Sequence, residues 1–412
     1  MPIYTPNFLK KVLVMILAGG GGQRLYPLTK DRAKPAVPFG GIYRIIDFTL
    51  SNCLNSSLHR IVLLTQYKSI SLDRHIRMGW NIFRSELGDY LDIIPPQMRI
   101  TDTWYRGTAD AIYQNIYTLE REHPEKVLIL AGDHIYKMDY RKMIDFHISN
   151  NADLTIPCIE VPIEDAHRFG IMEVDKENRL VRFLEKPAHA KPIPTDPTKV
   201  LASMGIYLFN TEVLVRRVVE DTKTNSHHDF GRDIIPAMIG RDRVYAYSFE
   251  DENKKPQKYW RDIGTLDAYW EANMDLVAID PLFNLYDQDW PIRTCQEQFP
   301  PAKTVFVENG GLMGTVLNSL ISPGCIISGA RVEHSILSPD VRIETFSYVL
   351  DSIIMEGARI GRHVKIRKAI IDKGVTVPDG MTIGYNLEED KKHFTITEKG
   401  VVVVPKEMPL LA

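Results

Sequence analysis

Apolar positions along this chain follow two different rules. From residue 11 to about 280, short apolar runs alternate with longer stretches of helical spacing. The runs 12–17, 60–64, 126–130, 154–161 and 201–209 predict strands, several apolar enough throughout to be buried on both faces. The stretches 45–54, 109–122 and 140–149 predict helices between them. Such alternation predicts an α/β domain over 1–280 with a mostly parallel sheet covered by helices. Ligand crevices in such sheets lie beyond the carboxyl ends of the strands, so loops that follow strands are where chemistry is expected.

The last third repeats differently. Leu320, Ile326 and Val332 are followed by Leu337, Ile343 and Val349, then Ile354, Ile360 and Ile366, then Ile371, Val377 and Ile383. Steps are six residues within a group and five between groups, a repeat of seventeen with an aliphatic at all twelve positions. Three residues before the second and third members of each group stand Pro323, Gly329, Asp340, Phe346, Gly357, His363, Gly374 and Gly380, mostly turn formers. A triangular coil needs one inward aliphatic per face and a turn between faces, so 306–412 is expected to form a hexapeptide-repeat β-helix and its tail. The proline-rich stretch 281–305 reads as the linker.

Composition narrows the function classes. Fifty Lys and Arg against fifty-three Asp and Glu leave a formal charge of −3, so no bulk positive field recruits nucleic acid or an anionic membrane. No apolar run approaches the roughly 18–20 residues of a membrane span, and the run at 12–18 is too short for a signal peptide's hydrophobic region. The four cysteines show no CxxC spacing, which suits reduced thiols in a cytoplasmic protein.

The candidate chemistry falls in the first part. Gly19-Gly20-Gly21-Gly22 follows the first predicted strand, and Arg24, Arg32 and Lys34 follow the glycines. Glycines there permit a tight turn or close approach of amides to phosphate oxygens, and the cations favour a polyphosphate. Trp104-Tyr105-Arg106-Gly107-Thr108 opens a predicted helix and reads as a cap or as an anion site with flat rings beside it. Asp133 ends an apolar strand and Asp262 precedes a predicted helix. Each is a ligand for a hard cation such as Mg²⁺ or simply a helix cap. Glu185-Lys186 reads as a surface ion pair or a polar grip. The pair His227-His228 lacks the usual zinc spacings, and no Ser-His-Asp arrangement suggests an acyl hydrolase.

In order along the chain stand LAGGGGQRLYPLTKDRAKPAVPFGG, WYRGTADA, ILAGDHIYKMDY, FLEKP, LASMGIYLFN, HDFG and YWRDIGT, all ahead of the hexapeptide region. This series resembles the sugar nucleotidyltransferases, and among them the bacterial glucose-1-phosphate adenylyltransferases, over nearly the whole chain. The resemblance implies a Rossmann-like nucleotidyltransferase domain followed by a left-handed parallel β-helix. It implies a Mg²⁺-dependent enzyme that makes ADP-glucose and pyrophosphate from ATP and glucose 1-phosphate for glycogen synthesis. Carried over by position, Asp133 and Asp262 would hold the metal, with Arg24, Lys34 and Lys186 completing the catalytic set. Gly19, Gly20, Gly22 and Arg24 would cradle the triphosphate, and Gln66, Gly107 and Thr108 would lie by the adenine. Tyr105, Gly170, Glu185, Lys186, Ser203, Tyr207 and Asp229 would bind glucose 1-phosphate.

Family members are typically homotetramers tuned by small metabolites, with regulatory cations that map onto Arg32, Arg44, Arg367 and Lys368. Asp31 and Pro38 depart from that pattern, as do His393 and Ile396 in the tail. These departures argue against a fructose-bisphosphate site and leave the effector open.

Overall fold

A computed structural model describes residues 6–97, 104–307, 312–406 and 410. A ten-stranded sheet forms the centre of the first part. Tyr90–Ile94, Arg60–Thr65, Val12–Ala18 and Lys126–Ala131 lie side by side, all parallel. Tyr207–Asn210, Leu154–Pro162, Lys199–Ser203, Gly170–Val174 and Leu180–Glu185 continue the sheet in that order, and Val244–Ser248 pairs parallel with Leu154–Pro162. Only Tyr207–Asn210, Lys199–Ser203 and Leu180–Glu185 oppose the common direction. Val12, Val14 and Ile16 join one hydrophobic cluster while Leu13 and Met15 join another. The continuous apolar run therefore reflects burial on both faces.

Two predicted elements are broken where a side chain or a turn interrupts them. The stretch 109–122 is two helices, Thr108–Tyr113 and Ile116–Glu122. Between them Asn115 leaves the helical region, at φ −110° and ψ 17°. Its Nδ2 donates to Ala111 O at 2.8 Å, where a continuing helix would place its backbone N–H. The run 201–209 is two strands, Lys199–Ser203 and Tyr207–Asn210, separated by a turn in which Gly205 has φ +66°. Glycine takes that conformation with no Cβ penalty.

Residues 281–302 contain neither helix nor strand, and Lys303–Val307 already pairs with Ile326–Ser328. From there three parallel ladders wind as the faces of a coil. One inward column runs through Leu337, Ile354, Ile371 and Val404, with matching columns through Val332 and Ile343. In the first coil the inward positions are Val316, Ile321 and Ile327, which pair with Val332, Leu337 and Ile343. Leu320 and Ile326, expected inward, are one residue out of step. The connection from Ile327 to Val332 is one residue shorter than its equivalents, so the six-residue spacing fails there. Glycine or another residue in the left-handed region marks the corners: Gly324, Gly329, Asp340, Phe346, Gly357, His363, Gly374 and Gly380 all have positive φ. The tail returns to the coil, with Val402–Val404 pairing beside Ala369–Ile371.

One face of the coil docks on the first part. Ile336, Ile353, Ile370 and Val403 share a buried cluster with Phe39, Phe48, Tyr269 and Leu276. Leu320 packs against the same cluster. Among the described residues no helix is long and apolar enough to cross a membrane.

Candidate active site

Asp133 stands just past the carboxyl end of Lys126–Ala131. It caps no helix: the next element is the strand His134–Tyr136, and Asp139 caps the helix Tyr140–Ser149 by accepting from Arg141 N at 2.9 Å. His134–Tyr136 pairs antiparallel with Trp260–Asp262, which sets Asp262 opposite His134. Asp262 caps no helix either, since Thr265 performs that role for Leu266–Met274. Both carboxylates are thus left for other partners.

Asp133, His134 and Asp262 present potential ligand atoms within 4.8 Å of one another. Lys34 Nζ lies between the carboxylates, 2.5 Å from Asp133 Oδ2 and 3.4 Å from Asp262 Oδ1. Burial alone would raise the Asp133 carboxyl, but Lys34 and His134 beside it prevail and hold it at about 2. Burial works against the Lys34 ammonium, and the two carboxylates more than offset it, so its pKa is raised. Two carboxylates, one just past a central strand and one ending the strand paired with His134–Tyr136, are the donor chemistry a hard divalent ion takes. The residues present therefore fit such an ion.

The glycine loop lies beside this centre. A Cβ on Gly19 would meet Gln66 Cβ at 3.0 Å, which places Gln66 against the loop. Gly22 has φ +60°, and its carbonyl accepts from Thr29 Oγ1 at 2.8 Å. Nothing lies within 4 Å of the Cβ positions of Gly20 and Gly21, so these glycines leave open space rather than relieve a clash. The Arg24 guanidinium reaches the Asp262 loop, 3.6 Å from the Cβ position of Gly264.

A second group surrounds a cavity of about 440 Å³ lined by Arg106, Gly107, Glu185, Lys186, Asp229 and Arg232. Glu185 ends the strand Leu180–Glu185, and a Cβ on Gly231 would come within 2.6 Å of its Oε2. Gly170 has no room for a side chain, because a Cβ would meet Phe183 Cζ at 2.5 Å. Lys186 Nζ is 3.6 Å from Glu185 Oε1, so the ion pair expected as an alternative is present, with Lys186 half exposed. Asp229 accepts from Gly231 N and Arg232 N through one oxygen and from Thr108 Oγ1 through the other. Burial raises the Glu185 carboxyl, Lys186 opposing and Asp229 adding to the shift. Burial, reinforced by Asp229 and Glu185, raises the Tyr207 phenol far above its ordinary value, and Ser203 is beside it.

The loop that begins at Trp104 joins the two groups. Trp104 stacks on Tyr67, centroids 4.8 Å apart, next to Gln66. The Tyr105 hydroxyl accepts from Asn115 Nδ2 at 3.0 Å. Gly107 and Thr108, expected by the adenine, contact the segment 228–229. A Cβ on Gly107 would stand 2.2 Å from His228 O, and Thr108 is bonded to Asp229. Close backbone packing thus sets these two residues beside the Glu185 cavity. His228 bonds to Asp221 at 2.6 Å and to Ser226, a buried structural arrangement. A roomier cavity of about 720 Å³ lies between Tyr90–Ile94 and Ile70–Gly79; Asn115 lines it, but none of the site residues expected from the sequence does.

Comparison with known proteins decides the family. Residues 13–278 match the nucleotidyl transferase family, and residues 300–404 match the GlmU-like C-terminal hexapeptide family. The chain is 53% identical over 403 residues to the glucose-1-phosphate adenylyltransferase of Koribacter versatilis, covering 97% of this chain and 96% of that one. It is 54% identical to the enzyme of that name from Rhodopirellula baltica, covering 97% and 90%, and 52% identical to that of Methylococcus capsulatus, covering 97% and 95%. The chain belongs to the glucose-1-phosphate adenylyltransferase family.

In this member of the adenylyltransferase family the cations at the junction are largely engaged. Arg32 is buried, with Nη2 2.7 Å from both oxygens of Asp372 and Nη1 without a partner among the described residues. Arg44 donates to Ser71 Oγ at 2.8 Å and to Ser71 O at 3.1 Å. Lys368 Nζ donates to Lys399 O and lies 5.3 Å from the centre of the Trp270 ring, while Arg367 is exposed. Two residues that the motif reading left without a role, His134 and Arg232, also lie in these groups. Their only signal was closeness in sequence, His134 next to Asp133 and Arg232 three residues past Asp229.

Proposed function

We infer that the chain transfers the adenylyl group of ATP to α-D-glucose 1-phosphate, forming ADP-glucose and releasing pyrophosphate. The observation that carries this reading is the pair of adjoining groups. An open glycine loop with Arg24 and Lys34 faces the Asp133–Asp262 centre, and the 203–207 turn links that centre to the Glu185–Lys186–Asp229 cavity, with Gly205 beside His134 and Tyr207 beside Glu185 and Asp229. A sugar phosphate with a second pKa near ~6 is largely dianionic at neutral pH and needs no general base. One of its oxygens bonds to the α-phosphorus as the bond to the bridging oxygen of pyrophosphate breaks. The protein's task is to hold two anions in line and offset their repulsion.

Asp133 and Asp262 would hold Mg²⁺, which supplies charge neutralisation at the phosphates when bound. Gly19, Gly20 and Gly22 offer backbone amides to the triphosphate, and Gln66 borders the nucleotide. Arg24 and Lys34 offset charge on the departing pyrophosphate; Lys34 exchanges its carboxylate partners for phosphate oxygens as it does so. Lys186 neutralises the glucose phosphate. Glu185 and Asp229 accept from sugar hydroxyls, with Tyr105, Gly170, Ser203 and Tyr207 shaping the pocket.

ADP-glucose from this reaction would feed glycogen synthesis in the cytoplasm, a setting that the four unpaired cysteines suit. Small phosphorylated metabolites would regulate it through cations among Arg32, Arg44, Arg367 and Lys368. Exposed Phe306, Met313 and Leu317 at the start of the coil favour self-association into a homotetramer.

The test is a pyrophosphate-release assay with Mg²⁺ and glucose 1-phosphate, run with ATP, UTP, dTTP and GTP and titrated with phosphorylated metabolites. ATP should be strongly preferred, and Asp133→Asn should fold normally while losing about 10²–10³-fold in turnover. Equal rates with UTP would overturn the nucleotide assignment, and undiminished turnover in the variant would remove Asp133 from the mechanism.

A further inference from the structure

We propose that His134 is a positioning residue of the divalent-ion centre, its Nε2–H holding the Asp133 carboxylate so that the remaining oxygens of Asp133 and Asp262 face the ion. The proposal rests on the assignment of those two aspartates as ion ligands.

The imidazole is nine-tenths buried and confined on two sides. It meets Trp260 edge to face, centroids 5.1 Å apart, and its Cε1 lies 3.4 Å from the Cβ position of Gly205. Its Nε2 is 3.5 Å from Asp133 Oδ1 and 3.9 Å from Asp262 Oδ1. A small rotation of the Asp133 carboxylate closes the shorter separation to a hydrogen bond, as polar groups of a substrate site commonly do on loading. Strand pairing with Asp262 fixes the ring's approach, so His134 faces both carboxylates from one side.

The tautomer decides between holding a ligand and being one. His134 Nδ1 is buried and has no hydrogen-bond partner among the described residues. Nδ1 is unpartnered in either tautomer, so the Nε2 side decides: a proton on Nδ1 would aim the Nε2 lone pair at two carboxylate oxygens. A proton on Nε2 turns that repulsion into attraction, and the geometry assigns it there. In that tautomer the ring has no lone pair on the ion's side. A metal-bound histidine also normally donates its second N–H to an acceptor, and none is present among the described residues. The two oxygens of Asp133 then have different tasks: Oδ1 turns toward His134, and Oδ2, beside the displaceable Lys34, is the one left for the ion.

Mn²⁺ is a suitable probe, followed by electron paramagnetic resonance on the full chain without substrate. His134→Leu should bind Mn²⁺ about 10–100-fold more weakly, while His134→Gln, whose amide N–H₂ reaches the Nε2 position, should restore affinity close to wild type. Pulsed spectra of the Mn²⁺-loaded wild type should show no directly bound imidazole nitrogen. Wild-type affinity in His134→Leu, alongside weakened binding in Asp133→Asn, would overturn the positioning role alone. So would an unaltered affinity accompanied only by a lower thermal midpoint. A directly bound nitrogen that vanishes in His134→Gln would make His134 a ligand. Absence of Mn²⁺ binding by the wild type would remove the ion centre itself, and this role with it.

Discussion

Arg32 and Asp372, 340 positions apart, meet as a buried ion pair in which Arg32 Nη2 lies 2.7 Å from each carboxylate oxygen. The contact ties the coil to the segment that carries Lys34, two residues further on. Removing either partner leaves an uncompensated buried charge, at a cost of about 3–5 kcal/mol. Asp372→Asn and Arg32→Met should each lower the thermal midpoint clearly, and the double variant should cost less than the sum of the singles. Strict additivity would show that the pair is not coupled.

Gly20 and Gly107 are predicted to fail in opposite ways. A methyl group at Gly20 meets nothing within 4 Å, so Gly20→Ala should keep its melting behaviour but show a raised KM for ATP. At Gly107 the same methyl group would stand 2.2 Å from His228 O, and Gly107→Ala should lose stability and glucose 1-phosphate affinity together. An unchanged KM for ATP in the first variant would exclude the glycine loop from the triphosphate site.

His147 gives the fold a pH limit distant from the chemistry. Burial holds its pKa down at about 4, the hydrogen bond to Asn210 opposing and Lys126 assisting. Well above about pH 6.5 the ring is neutral in both folded and unfolded chains. As the pH falls from about 6.5 to about 4 the unfolded chain binds a proton that the folded one refuses, so stability is lost across that window. The full loss is about 3 kcal/mol. Urea midpoints recorded between about pH 7 and pH 4 should fall more steeply for wild type than for His147→Asn; equal slopes would exclude His147 as the cause.

The first coil offers a direct check of register. Ile327 is 1% exposed whereas Ile326 is half-buried. Ile327→Ala should cost about 2–5 kcal/mol and Ile326→Ala distinctly less, read as shifts in thermal midpoint. The reverse order would restore the even six-residue spacing.

Much of this was legible because the patterns are local. The apolar run at 12–17 and the period of seventeen report burial directly, and both elements formed where those patterns lie. What failed to show was local as well as distant. Asn115 breaks a helix by a side-chain bond, Gly205 splits a strand by its backbone conformation, and one missing residue before Val332 shifts the first coil. In the site, a cap was an open alternative for each of Asp133 and Asp262 until Asp139 and Thr265 were seen in that role.

Side-chain period and turn chemistry depend on neighbours within a few residues, so the amino-acid order alone determined the sheet, the coil and the motifs that carry the chemistry. Which motifs face one another depends on strand order and on contacts spanning much of the chain, and only the tertiary structure decided that. It brought His134 against Asp262, moved Gly107 to the Glu185 cavity and closed Arg32 on Asp372, because each of these is set by packing between segments with no local trace of their partner.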